Sequence, residues 1–127
     1  MKRQSDLTFS GVPMEEVSSL RVREVAGGLQ LEEEALALRC GLSRSTYYRR
    51  RQSKKPLSAL EADLLDRHAR ILAQAREVFE SSEAATRWLK TPQLGLGGGV
   101  PLDAIRSTSG FREVEKLLTR IDYGVYA

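Results

Sequence analysis

Arg39-Cys40-Gly41-Leu42-Ser43-Arg44-Ser45-Thr46-Tyr47-Tyr48-Arg49-Arg50-Arg51-Gln52-Ser53-Lys54-Lys55 carries seven basic side chains and no acidic one. Ahead of it, Glu32-Glu33-Glu34-Ala35-Leu36-Ala37-Leu38 has a short helical pattern, its three glutamates suited to the positive end of a helix dipole. Gly41 can take the positive φ that follows a helix end. Ser43 is a good N-cap for a second helix opening at Arg44. A helix, a short glycine turn and a basic second helix are the parts of a DNA-binding helix-turn-helix. In the major groove the first residues of that second helix reach base edges, here Arg44, Ser45 and Thr46 beside the capping Ser43. Tyr48 and Arg49 come one turn later. Arg50, Arg51, Lys54 and Lys55 are expected to meet phosphates, which position the protein without reading sequence. Leu42 and Tyr47 fit the small inner face. A solvated basic helix is the plainer alternative, and the glycine turn, the serine cap and the lack of acid in the run argue against it.

The charge outside this run supports a local patch. Residues 1–38 are net acidic, residues 56–76 balance, and residues 77–127 are close to neutral. One DNA-facing surface and a separate remainder are implied. The length of 127 residues suits one domain or two very small ones. No apolar run approaches the ~20 residues of a transmembrane helix, and Met1 to Leu7 lacks the apolar core of a signal peptide. Cys40 is the single cysteine, so it has no partner for an internal disulfide, and a cytoplasmic location is the simple reading.

Residues 1–10 are polar and expected to fray. Met14 to Val25 is helix-compatible, with Val17, Leu20 and Val25 apolar and Gly27-Gly28 as its stop. Leu29 and Leu31 are expected to pack under the helix-turn-helix. The helix from Glu32 to Arg39 is expected to bury Ala35, Leu36 and Leu38. After Lys55-Pro56, Ser58 caps a long helix to about Phe79, with Leu57, Leu60, Leu64, Leu65, Ile71, Leu72, Ala75, Val78 and Phe79 at helical spacing. His68 is the one histidine, without a second ligand at metal spacing, so it reads as packed rather than catalytic or metal-binding.

Ser81-Ser82-Glu83 opens a short helix whose apolar side is Ala84, Ala85, Trp88 and Leu89, with Trp88 a core anchor by its chemistry. Gln93 to Pro101 is rich in glycine. It has no preceding strand, no GxxxxGKS/T and no lysine after the glycines, so it reads as a structural turn rather than a nucleotide loop. Pro101 suits the first turn of a helix covering Leu102, Ala104 and Ile105. Ser109-Gly110 punctuates, and a last helix from Phe111 carries Val114, Leu117, Leu118 and Ile121 on one face. No alternating β pattern is present, so the fold class is all-α. The expected division is residues 1–76, a helix-turn-helix domain with its long linking helix, and residues 77–127, a small helical domain.

In that second part, Ala84-Ala85-x-x-Trp88-Leu89-x-Thr91-Pro92, then Leu96-Gly97-Gly98-x-x-Pro101-Leu102-Asp103, then Gly110-x-x-x-Val114-x-x-x-Leu118-x-Arg120-Ile121-x-Tyr123-Gly124-Val125-Tyr126 closely resembles the toxin-binding domain of the MbcA/ParS/Xre antitoxins. Leu36 to Arg51 is similar to the Xre-like helix-turn-helix of that family. The resemblance implies an antitoxin that neutralises a RES-domain toxin, an enzyme consuming NAD. It also implies repression of the antitoxin's own promoter, as a dimer or a higher complex with toxin. It puts Trp88, Leu96, Gly98, Pro101, Arg120, Tyr123, Gly124, Val125, Tyr126 and Ala127 on the toxin side. Two departures stand out: Ala127 where the family ends in serine or a similar small residue, and Gly99 where many relatives carry a polar or basic one. The competing function is a stand-alone transcription regulator whose second domain dimerises or senses a ligand. No nucleophile–base pair, paired histidines or motif carboxylates suggest an enzyme, and no cofactor is expected.

Overall fold

The computed structural model describes residues 17–124, together with the backbone of Leu7–Thr8 and Val12–Pro13. Among the described residues there are seven helices: α1 (Leu20–Leu29), α2 (Glu33–Arg39), α3 (Arg44–Ser53), α4 (Ala59–Phe79), α5 (Ser82–Leu89), α6 (Pro101–Ala104) and α7 (Thr108–Asp122), with a 3-10 turn at Leu94–Leu96. The all-α class holds. Beside the helices, the described residues include a minimal antiparallel pair, β1 (Leu7–Thr8) and β2 (Val12–Pro13), with Leu7 opposite Pro13 and Thr8 opposite Val12. Two residues per strand are too few to show an alternating pattern. Backbone packing divides the chain into two compact units, and the division falls inside α4, between Asp66 and Arg67. Among the described residues no helix is long and apolar enough to cross a membrane.

In the first unit α1 lies further along the chain than its glycines suggest. It runs through Gly27 and Gly28 and ends at Gln30, which takes the left-handed conformation (φ 56°) and donates its N–H to the Ala26 and Gly27 carbonyls. Each glycine costs a helix about 1 kcal/mol, but continuing the helix buries Val22, Val25, Ala26 and Leu29 at helical spacing, and burial of such side chains is worth about 1.5–3 kcal/mol each. Leu20 is exposed, while Val17 is buried. Leu29 is buried and Leu31 half-buried.

Helix α2 buries Leu36 and Ala37 rather than the expected Ala35, Leu36 and Leu38; Ala35 and Leu38 are exposed. A two-turn helix between short connections buries a narrow stripe, and here the stripe is one residue out of register with the hydrophobic count. The turn after it follows expectation. Gly41 has φ +91°, and the Leu42 N–H returns to the Ala37 carbonyl at 2.9 Å. Leu42 and Tyr47 are fully buried, as the inner face requires.

Helix α4 opens with a reciprocal cap. The Ser58 hydroxyl accepts from the Glu61 N–H (3.2 Å), and the Glu61 carboxylate accepts from the Ser58 N–H (2.8 Å). Most of its expected apolar stripe is covered, but Leu60 is 69% exposed, one position off the buried line of Leu57, Ala62 and Leu65.

In the second unit Ile71, Leu72, Ala75, Ala85, Leu89, Leu102, Ile105, Phe111, Val114, Leu117 and Leu118 are buried, with His68 fully enclosed. Ile121, Ala84 and Trp88 are only half-buried. Gly110 does not interrupt the last helix; it sits in its first turn, after the Ser107 cap that accepts from the Gly110 N–H at 3.0 Å. A Cβ at Gly110 would stand 1.9 Å from the Ala104 carbonyl oxygen, so only glycine lets α7 start this close to the end of α6. Pro101 occupies the first turn of α6, as expected.

Candidate functional site

Two surfaces are built by these elements, one in each unit. The first is the outer face of α3. The Ser43 hydroxyl accepts from the Thr46 N–H at 3.2 Å and sets the entry of the helix. The buried Tyr47 ring holds the inner side, so Arg44, Ser45, Tyr48, Arg49, Gln52 and Ser53 face outward, with Lys54 and Lys55 exposed beyond the helix end. The Arg49 guanidinium donates to the Thr46 hydroxyl at 3.4 Å.

The run has no acid within it, yet folding brings three carboxylates onto it. The Arg50 guanidinium donates through both arms to Glu61 of α4 (2.5 and 3.2 Å). Arg51 donates to both oxygens of Glu33 of α2 (3.2 and 3.0 Å), which also has Arg23 at 3.7 Å. The Tyr48 hydroxyl donates to the Glu34 carboxylate. This hydrogen bond lowers the Glu34 pKa and raises that of Tyr48. Burial pushes the Glu61 carboxyl upward, but the Arg50 and Ser58 hydrogen bonds outweigh it and the net shift is down. Arg50 and Arg51 therefore brace α3 against its neighbours. Among the described residues, Arg44, Arg49, Lys54 and Lys55 are in no ion pair with a carboxylate, and they form the open cationic part of the face.

In the second unit the glycine-rich loop is closed on itself. The Gln93 N–H reaches the Gly99 carbonyl (3.0 Å), the Gly98 N–H reaches the Gln93 carbonyl (2.9 Å), and the Gln93 amide donates to the Trp88 and Thr91 carbonyls (3.1 and 3.0 Å). Gly97 and Gly98 take φ +63° and +88°, so Gly98 shapes the loop through its backbone. Leu94, at the start of the 3-10 turn, is 92% exposed, whereas Leu96, the leucine expected on the toxin side, is half-buried. An aliphatic residue in a run of glycines was the available signal. Trp88 packs against Phe79 with the rings tilted by 41° and their centroids 5.5 Å apart, and the pair lines a groove of about 320 Å³ with Ala84, Arg87, Thr91 and Gln93. Pro101 is buried. At the far end of α7, Tyr123 is 79% exposed and Gly124 takes φ +79°. Val125, Tyr126 and Ala127 lie outside the described residues.

Residues 74–124, which hold this loop and both flanking helices, match the antitoxin Xre/MbcA/ParS C-terminal toxin-binding domain. Through this region the chain is similar to the Xre/MbcA/ParS antitoxins. It is similar to an Antitoxin Xre of Pseudomonas putida, 36% identical over 70 residues, covering 55% of this chain and 44% of that protein. An Antitoxin Xre of Photorhabdus laumondii is 30% identical over 86 residues, 67% of this chain and 58% of its own. A Prs ADP-ribosylating antitoxin of Sphingobium sp. is 22% identical over 134 residues, 98% of this chain and 84% of its own. The chain spans about half the length of the first two. Trp88, Leu96, Gly98, Pro101, Arg120 and Tyr123 all fall in the second compact unit; of these Gly98 and Tyr123 are exposed, as is Leu94.

Proposed function

We propose that this chain is the antitoxin of a type II toxin–antitoxin pair. Its second domain, residues 77–127, binds and neutralises a RES-domain toxin that consumes NAD. Its first domain, residues 1–76, binds operator DNA as a dimer and represses the operon, and both acts take place in the cytoplasm. The observation that carries the reading is the toxin-binding domain match over residues 74–124. Leu94 and Tyr123 support it, since large apolar groups held this far into solvent are what a protein partner covers. The name of the Sphingobium relative joins an antitoxin to ADP-ribosylation, a reaction that draws on NAD.

The DNA role is supported by the capped α3 with Arg44, Ser45 and Arg49 at its open face and Lys54 and Lys55 at its end. One helix of this length meets few base pairs, and a two-fold dimer on a palindrome doubles the contact. The reading assigns the chain no catalytic step, metal or cofactor. Co-expression with the neighbouring gene's RES-domain product tests it. The expected result is co-purification, loss of NAD consumption by the toxin, and a shift of promoter DNA by the antitoxin. A chain that shifts promoter DNA but neither binds nor inhibits that product is a stand-alone regulator instead.

A further inference from the structure

Along α7, Arg112, Lys116 and Arg120 recur every fourth residue and fall on one side of the helix. At 1.5 Å per residue the three cations span about 12 Å. They line an open groove of about 550 Å³, whose other walls are Gln74 of α4 and Glu115 and Thr119 of α7. The wall is fixed in place: the Gln74 amide donates to the Glu115 carbonyl (3.3 Å) and the Thr119 hydroxyl (3.4 Å). Glu115 is the one carboxylate among these groove residues, with Arg70 3.8 Å away. None of the three groove cations is in an ion pair among the described residues, and the Arg120 Nε is shielded from solvent without a hydrogen-bond acceptor. A guanidinium with an unmet donor is a fork awaiting a carboxylate.

We infer that this α7 groove receives an acidic segment of the toxin, held by Arg112, Lys116 and Arg120. The inference rests on the antitoxin reading and extends it from the end of α7 to a whole helix face. Glu115 in the same wall favours a protein over a nucleic acid. It repels an evenly charged phosphate backbone, whereas a peptide can bring its acids singly and offer a donor opposite Glu115.

The test uses the full chain and the RES-domain product of the adjacent gene, with binding measured by calorimetry across a salt series. Lys116→Glu is compared with Arg106→Glu, an equal charge change at an exposed site outside the groove. We expect Lys116→Glu to weaken toxin binding about tenfold or more and to flatten its salt dependence, with Arg106→Glu within about twofold of the unaltered chain. Equal losses in both variants, or no loss in either, overturn the groove while leaving the antitoxin reading intact. A Lys116→Glu chain that keeps toxin binding and loses promoter binding overturns it in favour of nucleic acid. An unaltered chain that does not bind the toxin overturns both readings together.

Discussion

Glu61 serves two elements at once: its carboxylate accepts both arms of the Arg50 guanidinium and also the Ser58 N–H that opens α4. The end of α3 and the start of α4 are thereby tied through one side chain. Its folded pKa is depressed, because the hydrogen bonds outweigh burial. Stability from a depressed carboxyl is fully present above its unfolded value of about 4.3 and is lost as the pH falls through the lower folded value. Denaturation followed from pH 7 to pH 3 is expected to show this loss below about pH 4.3. Glu61→Gln is expected to cost roughly 1–3 kcal/mol at pH 7 and to shrink the acid-dependent part. An acid profile unchanged by Glu61→Gln means that other carboxyls set it.

The same pairing separates the cations of α3 into two kinds. Arg44→Ala is expected to weaken operator binding by about 1–3 kcal/mol and to relax base preference without changing the melting temperature. Lys54→Ala is expected to weaken all DNA alike and to lower the salt slope by about 1. Arg50→Ala is expected to act first on stability, because it strips Glu61 of its partner. Fluorescence anisotropy with operator and unrelated duplexes, run beside thermal melts, distinguishes the three. Operator binding unaltered by Arg44→Ala moves the reading surface away from the start of α3.

What was legible in the sequence were features set by local chemistry. The Gly41 turn, the caps at Ser43, Ser58 and Ser81, and Pro101 at the head of α6 depend on one or two residues and their neighbours. Burial register and charge pairing depend on what lies across the fold. Leu38 and Leu60 are apolar yet exposed, and Gly27 and Gly28 stay helical because Leu29 has somewhere to go. The run from Arg39 to Lys55 is purely basic along the chain, but Glu33, Glu34 and Glu61 reach it only once α2 and α4 are in place. The α7 groove was half-visible: Arg120 was singled out through the family resemblance, whereas Arg112 and Lys116 join it only by helical spacing.

Gly110 is a direct test of the α6–α7 junction. With the Ala104 carbonyl oxygen 1.9 Å from a Cβ at this position, Gly110→Ala forces two backbone segments apart. A helix interior normally gains from Gly→Ala, so the sign of the effect is diagnostic. We expect a loss of roughly 1–3 kcal/mol in chemical denaturation, at the upper end because the opposing atom is backbone. A gain in stability means the two helices meet less closely.

Cys40 closes α2 at 1% exposure, and burial pushes its thiol pKa up to about 12. The thiolate, the reactive form, is therefore almost absent at neutral pH. A thiol reagent at pH 8 is expected to leave the native chain unlabelled for as long as it stays folded and to label it fully in denaturant. Rapid labelling of the native chain means the turn opens locally.

The end of α7 bears on neutralisation. Tyr123 caps the helix at 79% exposure and Gly124 turns the backbone there with φ +79°. Because its ring is in solvent, Tyr123→Ala is expected to change stability by less than about 0.5 kcal/mol. Aromatic groups carry much of an interface's energy when a partner covers them, so the same change is expected to weaken toxin affinity by about tenfold or more. Deleting Gly124 to Ala127 is expected to release the toxin's NAD consumption and leave the promoter shift unchanged, because residues 32–55 belong to the other compact unit. The informative measurement is NAD consumption by the toxin with full-length and shortened antitoxin, beside a promoter shift with each. Full neutralisation by the shortened form moves the toxin surface to the Trp88 to Asp103 side. There, Leu94 stands on a loop closed by its own hydrogen bonds, so a partner can cover it without first ordering the chain.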